Sequence, residues 1–303
     1  MNKTTSAAEA ASTRNMKFFD DGEEYTVRPD VLNYDDIRAM VPAFDGHPKL
    51  VNALLRFLSV DKVNAVHRAC CDTPGPDFVR RLLFEQFKIK LKVDNEQVLD
   101  HLPEGAFITV SNHPLGALDG IALIHLVASR RPRFRVMVNM ILGKITAMRP
   151  NFIAVDQSAS ADPKKRAVSV AGIRHALRML KEGDPVGFFP AGAMSKTDLH
   201  YRTKDREWQD SVLQIIWRAK VPVIPIYFHD KNSLWCNILG HICWPARSLR
   251  IPAEVFRKVG KTLHISVGEP ISPEQQRANA SDAIQLGAYL RAKTYALRDQ
   301  YSK

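Results

Sequence analysis

The stretch that most limits what this chain can become runs from Phe152 to Phe189. "FIAV" (152–155) is a short apolar run of the kind strands favour. Asp162-Pro163 follows, an N-cap aspartate with proline at the first helical position. Helical sequence continues through Leu180, Gly183 supplies the stop, and the apolar run Val186–Phe189 closes the unit. Strand, helix, strand in that order is a β-α-β crossover, the connection that parallel strands require. Similar runs lie at Ile89–Val93, Ala106–Val110, Phe134–Asn139, Val223–Phe228 and Leu263–Val267. The expected fold class is α/β: a mixed, mostly parallel sheet of about seven strands flanked by helices, with an N-terminal helical extension. The run Ala283–Leu297 reads as an amphipathic helix packed on that sheet.

Ahead of the sheet the pattern is helical. Leu50, Leu54, Phe57 and Leu58 share one helical face, as do Phe78, Leu82, Leu83 and Phe87, with "DTPGP" (72–76) as the turn between them. Residues 21–95 therefore read as an N-terminal helical segment and residues 96–303 as the α/β domain. Residues 1–20 read as a disordered tail, because "MNKTTSAAEAASTRN" is small and polar. That stretch lacks the apolar centre of a signal peptide, and no run approaches the ~18 apolar residues that cross a bilayer. Cys70, Cys71, Cys236 and Cys243 form no disulfide framework, so a reducing, cytoplasmic setting is the default. Cys236, His241 and Cys243 lack a paired C-x-x-C, and no metal site is expected.

The chemistry concentrates in "SNHPLGALDG" (111–120), where a strand ends and a helix begins. Pro114 pushes His113 toward extended geometry, Gly116 permits a tight turn, and Asp119 falls in the first turn of the helix that starts near Leu118. Residues six apart on one helix point to different faces. His113 and Asp119 can meet only if the histidine stands outside the helix and the chain folds back, which Pro114 and Gly116 make easy. A carboxylate on one ring nitrogen fixes the tautomer of the imidazole and stabilises its cation. The helix N-terminus is expected to disfavour that cation and leave a neutral imidazole. The pair would then act as a general base, worth ~10²–10⁴ in rate. On spacing alone, a structural His–Asp hydrogen bond in a strand-to-helix turn fits equally. No G-x-S-x-G elbow is present, so a serine nucleophile is not indicated.

"NHPLGALDG" (112–120) resembles the first motif of the glycerolipid and lysophospholipid acyltransferase family, with five residues between His and Asp where the family usually has four. Its form is closest to the branch containing the O-acyltransferases of ornithine-lipid and glycine-lipid synthesis. "PNFIAVDQ" (150–157), "GFFPAGAMSK" (187–196) and "VPVIPIYF" (221–228) resemble the second, third and fourth motifs, in family order, and "GKTLHISVGEPIS" (260–272) resembles the closing strand and turn. The resemblance implies that His113 and Asp119 are catalytic and that an acyl thioester, on acyl carrier protein or coenzyme A, is the co-substrate, with no bound cofactor. It also implies substrate contacts by Asn112, Gly116, Arg149, Pro190, Ala191, Gly192, Ser195, Lys196 and Arg202. The departures are specific. Gln157 stands where the family has arginine; Ala191, Ala193 and Met194 replace Glu, Thr and Arg. The family's phosphate-gripping arginines are thus missing, which favours a lyso amino-acid lipid over a glycerol phosphate as acceptor. Lys204 and Arg206 join Arg149, Lys196 and Arg202 as remaining cations for an acidic head group. The oxyanion would fall to backbone N–H groups near Gly116 or Gly192.

The chain carries 43 Lys+Arg against 32 Asp+Glu, a net charge of +11. Such a surplus suits an anionic partner: nucleic acid, an acidic carrier protein or an anionic membrane surface. No nucleic-acid-binding motif is present. Residues 233–259 mix Trp235, Ile238, Leu239, Ile242, Trp244 and Leu249 with Arg247, Arg250, Arg257 and Lys258, a blend suited to a lipid–water boundary. The expectation is a peripheral enzyme on the inner face of the cell membrane. A non-catalytic membrane-binding scaffold and a lysophosphatidate acyltransferase are the alternatives.

Overall fold

The crossover at 152–189 forms where its sequence places it. The computed structural model describes residues 14–156, 162–197, 203–242 and 244–300, and the side chains of 240–246 lie outside that description. Strand β6 (Phe152–Val155) leads to the helix Pro163–Glu182, whose first turn is capped by the Asp162 side chain accepting from the Lys164 amide at 2.9 Å. Gly183 ends the helix and β7 (Val186–Phe188) follows.

The other strands of the large sheet are β3 (Lys90–Asp94), β4 (Ile108–Ser111), β5 (Arg135–Asn139), β10 (Val223–Phe228) and β11 (Thr262–Val267). Their order is β3-β11-β10-β4-β7-β5-β6, a seven-stranded sheet. Strands β10, β4, β7, β5 and β6 run parallel to one another, and β11 and β3 run against them through the antiparallel β10–β11 pair. All seven strand runs read from the sequence are present, each within two residues of its expected bounds.

Period-two alternation divides each strand between two cores. One face carries Phe134, Val136, Ile224, Ile226 and Ile265 and packs on Phe78, Leu83, Leu123 and Val127 of the helices Pro76–Arg81 and Leu118–Ala128 and the π-turn between 82 and 86. The other carries Ile108, Val110, Val186, Phe188 and Val223 and packs on Met179, Leu213, Ile216 and Leu290 of the helices Pro163–Glu182, Asp210–Ala219 and Ala283–Gln300.

That division positions the site. The chain leaving β4 enters the helix Leu118–Ala128 on the first face, and the chain leaving the adjacent β7 reaches Asp210–Ala219 on the second. The carboxyl ends of β4 and β7 therefore part to opposite sides of the sheet and leave a crevice, the usual location of a ligand site in an open α/β sheet.

The N-terminus departs from expectation. Met16–Asp20 is not tail but strand β1, paired with β2 (Glu23–Val27) in an antiparallel hairpin. Asp20 faces Glu23, so the loop is Asp21-Gly22, both at positive φ (50° and 82°). Asp-Gly is a strong two-residue hairpin signal, and Tyr25 and Val27 are buried beneath it. The remaining described helices of this segment, Tyr34–Met40, Pro48–Phe57 and Val60–Arg68, follow as the apolar periodicity indicates. The boundary at residue 95 cuts through one sheet, since β3 lies on its N-terminal side and pairs with β11. The helical stretch is a layer on that sheet.

Candidate active site

His113 stands two residues beyond β4, over the crevice. Its strand is fixed by Asn112, whose side chain donates to the Phe228 carbonyl at 2.9 Å and accepts from the Phe228 amide at 2.7 Å. Asn112 thus continues the β4–β10 ladder by one step with its own amide, and both hydrogen-bonding groups expected to meet substrate are occupied by backbone. Beyond it the chain turns through Gly116 at φ +80°, where a Cβ would sit 2.3 Å from Met194 Sδ. No other residue has both the backbone freedom and the small volume for that place.

The turn delivers His113 to Asp119. Nδ1 lies 3.0 Å from Oδ2. Asp119 is wholly buried; Oδ2 also accepts the amides of Leu115 (2.9 Å) and Gly116 (3.2 Å), and Oδ1 accepts that of Gly120 (2.9 Å). Burial alone would raise its pKa, but His113 and the loop amides overcome this and hold the carboxyl below its ordinary value. Burial would likewise lower the imidazole; Asp119, then Asp205, outweigh it, with Arg247 opposing them, and the His113 pKa is raised. The expectation of an imidazole depressed by the helix N-terminus is therefore overturned. A full charge at 3.0 Å exceeds the partial charge of a helix end. With Nδ1 facing Asp119, Nε2 is the nitrogen left for substrate, and about a fifth of the side chain (18%) remains exposed.

The third motif closes over the other side. Phe189, at the end of β7, lies against the His113 ring with centroids 4.2 Å apart. Ser195 donates its amide to the His113 carbonyl at 2.8 Å. Asp205 Oδ1 accepts the His113 amide at 3.2 Å and also the Ser195 hydroxyl. Trp208 Nε1 reaches Asp205 Oδ2 at 3.4 Å, and the Asp205 amide donates to the Tyr295 hydroxyl at 2.7 Å. Burial pushes the Asp205 carboxyl above its ordinary value despite these donors. Neither Asp205 nor Phe189 was singled out from sequence. Asp205 lies in an irregular stretch between β9 (Thr203–Lys204) and a helix, where no period marks it.

The remaining expected contacts divide. Pro190, Ala191 and Gly192 form the turn after β7; Ala191 and Met194 are buried, and a Cβ on Gly192 would strike Gln209. Ser195 is buried, while Lys196 is exposed on β8 (Lys196–Thr197), which pairs with β9. Arg149 is not brought to His113. It pairs with Glu23 of the hairpin at 3.1 Å, lies over the Tyr25 ring, and borders a cavity of about 850 Å³ whose lining includes Asp20, Arg133 and Arg135 but neither His113 nor Asp119. Arg202 and Gln157 lie outside the described residues. Arg247, expected in a membrane-facing stripe, is instead 2% exposed and donates to the Ser195 carbonyl at 2.8 Å. Trp235 and Leu249 of the same stretch are exposed.

Among the described residues no helix is long and apolar enough to cross a membrane. A family model described as acyltransferase matches residues 41–302. The chain is 25% identical over 257 residues to a lyso-glycine lipid O-acyltransferase of Bacteroides thetaiotaomicron, covering 82% of this chain and 89% of that one. It is 25% identical over 260 residues to a protein of the same description from Phocaeicola vulgatus, covering 82% and 87%. The crystal structure of the 1-acyl-sn-glycerophosphate acyltransferase PlsC from Thermotoga maritima superposes with a TM-score of 0.50 at 16% identity, over 84% of this chain and 90% of that one, a likeness of fold.

Proposed function

The chain belongs to the acyltransferase family, and on that premise we propose that it acylates the hydroxyl of a lyso amino-acid lipid, with an N-(3-hydroxyacyl) glycine as the favoured acceptor and acyl carrier protein or coenzyme A thioester as donor. The observation that carries the reading is the His113–Asp119 pair at 3.0 Å, held at the crevice between β4 and β7. His113 Nε2 takes the acceptor hydroxyl proton as the oxygen attacks the thioester carbonyl. Asp119 holds the ring and balances the imidazolium. The tetrahedral intermediate collapses, the carbon–sulfur bond breaks, and the imidazolium returns the proton to the leaving thiolate. The resting enzyme is restored without an acyl-enzyme.

The third motif supports an acceptor without phosphate. Ala191 and Met194, each about 4% exposed, stand where the family resemblance leads one to expect glutamate and arginine, so the loop beside His113 carries no charged side chain at these two positions, and the buried Arg247 guanidinium is engaged with the Ser195 carbonyl. A single carboxylate asks for less positive charge. Membrane access is supported by the exposure of Trp235 (72%) and Phe57 (80%) on helices of a chain with net charge +11. A scaffold role is disfavoured because His113 Nε2 is left facing the crevice with the ring held at Asp119, an arrangement that membrane binding alone does not use. The test is incubation of purified protein with labelled acyl thioesters on both carriers and a panel of lysolipids, products being identified by mass spectrometry. A product from no acceptor would refute the proposal.

A further inference from the structure

A second cluster of histidine and carboxylate lies on the far strands of the sheet. His264 of β11 and Asp94 of β3 lean together through Nε2 and Oδ2, and His229, one residue past β10, stacks its ring on that of His264 at 4.0 Å and 11°. Ser266 bridges them: its hydroxyl donates to Asp94 Oδ2 at 2.8 Å and lies 2.7 Å from His229 Nε2. With that hydroxyl proton committed to Asp94, His229 Nε2 must be the donor to Ser266. His264 Nε2 thus faces the Asp94 carboxylate directly, and His229 Nε2 reaches it through the Ser266 hydroxyl. The register explains the convergence, since β3, β11 and β10 are neighbours, Ser266 faces Asp94, and the His229 amide donates to the His264 carbonyl at 3.0 Å.

The function proposed above uses none of these residues. We infer that Asp94, His229 and His264 form a binding site for a divalent late first-row metal ion of the zinc type, ligated by the two Nε2 atoms and one Asp94 oxygen. One ligand atom from each residue already lies within 4.8 Å of the others. A tetrahedral Zn²⁺ ion would draw them to roughly 3.3 Å apart at metal–ligand distances of ~2.0–2.1 Å, and the stacked rings must swing out of parallel about their side-chain torsions so that both Nε2 lone pairs point at the ion. Two imidazoles and a carboxylate suit zinc, nickel or copper and disfavour magnesium or calcium, which take oxygen ligands. Ligation moves each ring proton to Nδ1. His264 and Asp94 keep 23% and 15% of their side chains exposed, which leaves an entry path and a fourth position for water. Ser266 serves as the outer partner of Asp94. Lys92, opposite His264 in the β3–β11 register, works against the ion, and Asp230 is engaged by Lys258 at 2.8 Å. The site ties three strands together, and His229 directly follows the Phe228 step that Asn112 clamps beside His113.

The test is titration of tag-free, metal-stripped protein with Zn²⁺, followed by calorimetry and by competition with a chromogenic chelator. One equivalent binds, and the melting temperature rises with free metal. His229→Ala and His264→Ala each weaken binding by more than the roughly 10–100-fold that loss of an outer partner costs. His101→Ala leaves binding unchanged. If the alanine variants fail to fold, the histidine ring resonances of the wild type decide: two of the ten histidines shift stoichiometrically with Zn²⁺. Absence of a stoichiometric event, equal binding by the wild type and both site variants, or shifts confined to other histidines would overturn the inference.

Discussion

Asp205 accepts the His113 backbone amide at 3.2 Å with the same oxygen that takes the Ser195 hydroxyl, so one buried carboxylate ties the first-motif loop to the third. The tie positions the ring from behind while Asp119 positions it from the side. Asp205→Ala removes the acceptor for three donors, those of His113, Ser195 and Trp208. Each buried donor left unpaired costs about 1–3 kcal/mol. We expect a lower melting temperature and a fall in kcat with a smaller change in KM, since the base is still present but loses the tie that positions it. Steady-state kinetics beside thermal melting measure both. Unchanged kcat in the folded variant would show that the tie does not position the base.

His113→Ala should reduce kcat by about 10²–10⁴ or more with little change in melting temperature. Asp119→Asn should keep a residual rate and also move the pH profile. Catalysis needs Nε2 unprotonated, and the His113 pKa lies above its ordinary 6.5, so wild-type kcat/KM should rise with pH through a point above 6.5. Asp119→Asn removes the main cause of that elevation; Asp205 remains to raise the pKa, while burial and Arg247 lower it, and the acid limb should shift downward. The same pair contributes to stability with a defined sign. The raised His113 pKa stabilises the fold below 6.5 and loses effect as pH climbs through the folded value. The lowered Asp119 pKa stabilises above 3.8 and loses effect as pH falls through the folded value. The melting difference between wild type and Asp119→Asn should be widest between those limits. A limb that stays put in the variant argues against His113 as the titrating base.

Gly116→Ala tests the turn. A Cβ there combines φ +80° with a 2.3 Å approach to Met194 Sδ. The backbone term costs roughly 1–2 kcal/mol. Adding Met194→Ala relieves the contact but leaves the backbone term, so the double variant should recover part of the lost stability and activity. Chemical denaturation of the wild type, the single variant and the double variant reads this directly, and equal stability of single variant and wild type would mean that the turn is not so constrained.

Trp235, 72% exposed on the helix Leu234–Ile242, is expected to enter the headgroup region of an anionic membrane. Vesicle sedimentation over a salt series separates two components. The part owed to the +11 net charge falls with salt, and the part owed to apolar insertion survives. Trp235→Ala should reduce the surviving part by roughly tenfold, as burial of a large side chain is worth ~1.5–3 kcal/mol. Binding insensitive to both salt and the substitution would reject this surface.

Much of the fold was legible because the large sheet obeys local rules. The β-α-β unit declared itself by Asp162-Pro163 and Gly183, and the strand runs by their β-branched residues. The hairpin at 16–27 was legible too, through Asp21-Gly22, but a polar tail in front of it masked a strand whose only strong apolar pair is Phe18-Phe19. At the site, His113, Asp119 and Gly116 could be read because one short segment holds all three. Asp205, Phe189 and the inward turn of Arg247 could not, since each meets His113 or Ser195 only through the order of strands. The same holds for Asp94, His229 and His264, whose nearest pair is 35 residues apart and meets only across the β10–β11 edge. The direction of the His113 shift was not legible, because the sequence brings both a helix start and Asp119 to the ring but does not show that the carboxylate stands at 3.0 Å and outweighs the helix end.

The acceptor can be decided by competition. Near His113 the third-motif loop presents Ala191, buried at 4%, and Met194, whose side chain fills the slot beside Gly116. Arg149, a candidate phosphate ligand in the sequence, is spent on Glu23 away from the crevice. Burying a phosphate dianion without a fork of donors is penalised by several kcal/mol, whereas one carboxylate needs a single cation. Lys196 stands exposed on β8, one residue beyond the Ser195 that bonds the His113 carbonyl, and is the nearest such cation in sequence. With N-(3-hydroxyacyl) glycine and lysophosphatidate offered together, kcat/KM should favour the glycine lipid by about tenfold or more, one absent charge partner being worth at least ~1.4 kcal/mol. Met194→Arg should narrow that ratio by restoring a guanidinium to the loop. Lys196→Ala should lower kcat/KM for the glycine lipid while leaving the acid limb of the pH profile in place, because it touches the head group and not the base. Preference for lysophosphatidate by the wild type would transfer the assignment to a glycerol-phosphate acceptor, and the His113–Asp119 chemistry would serve that hydroxyl in the same way.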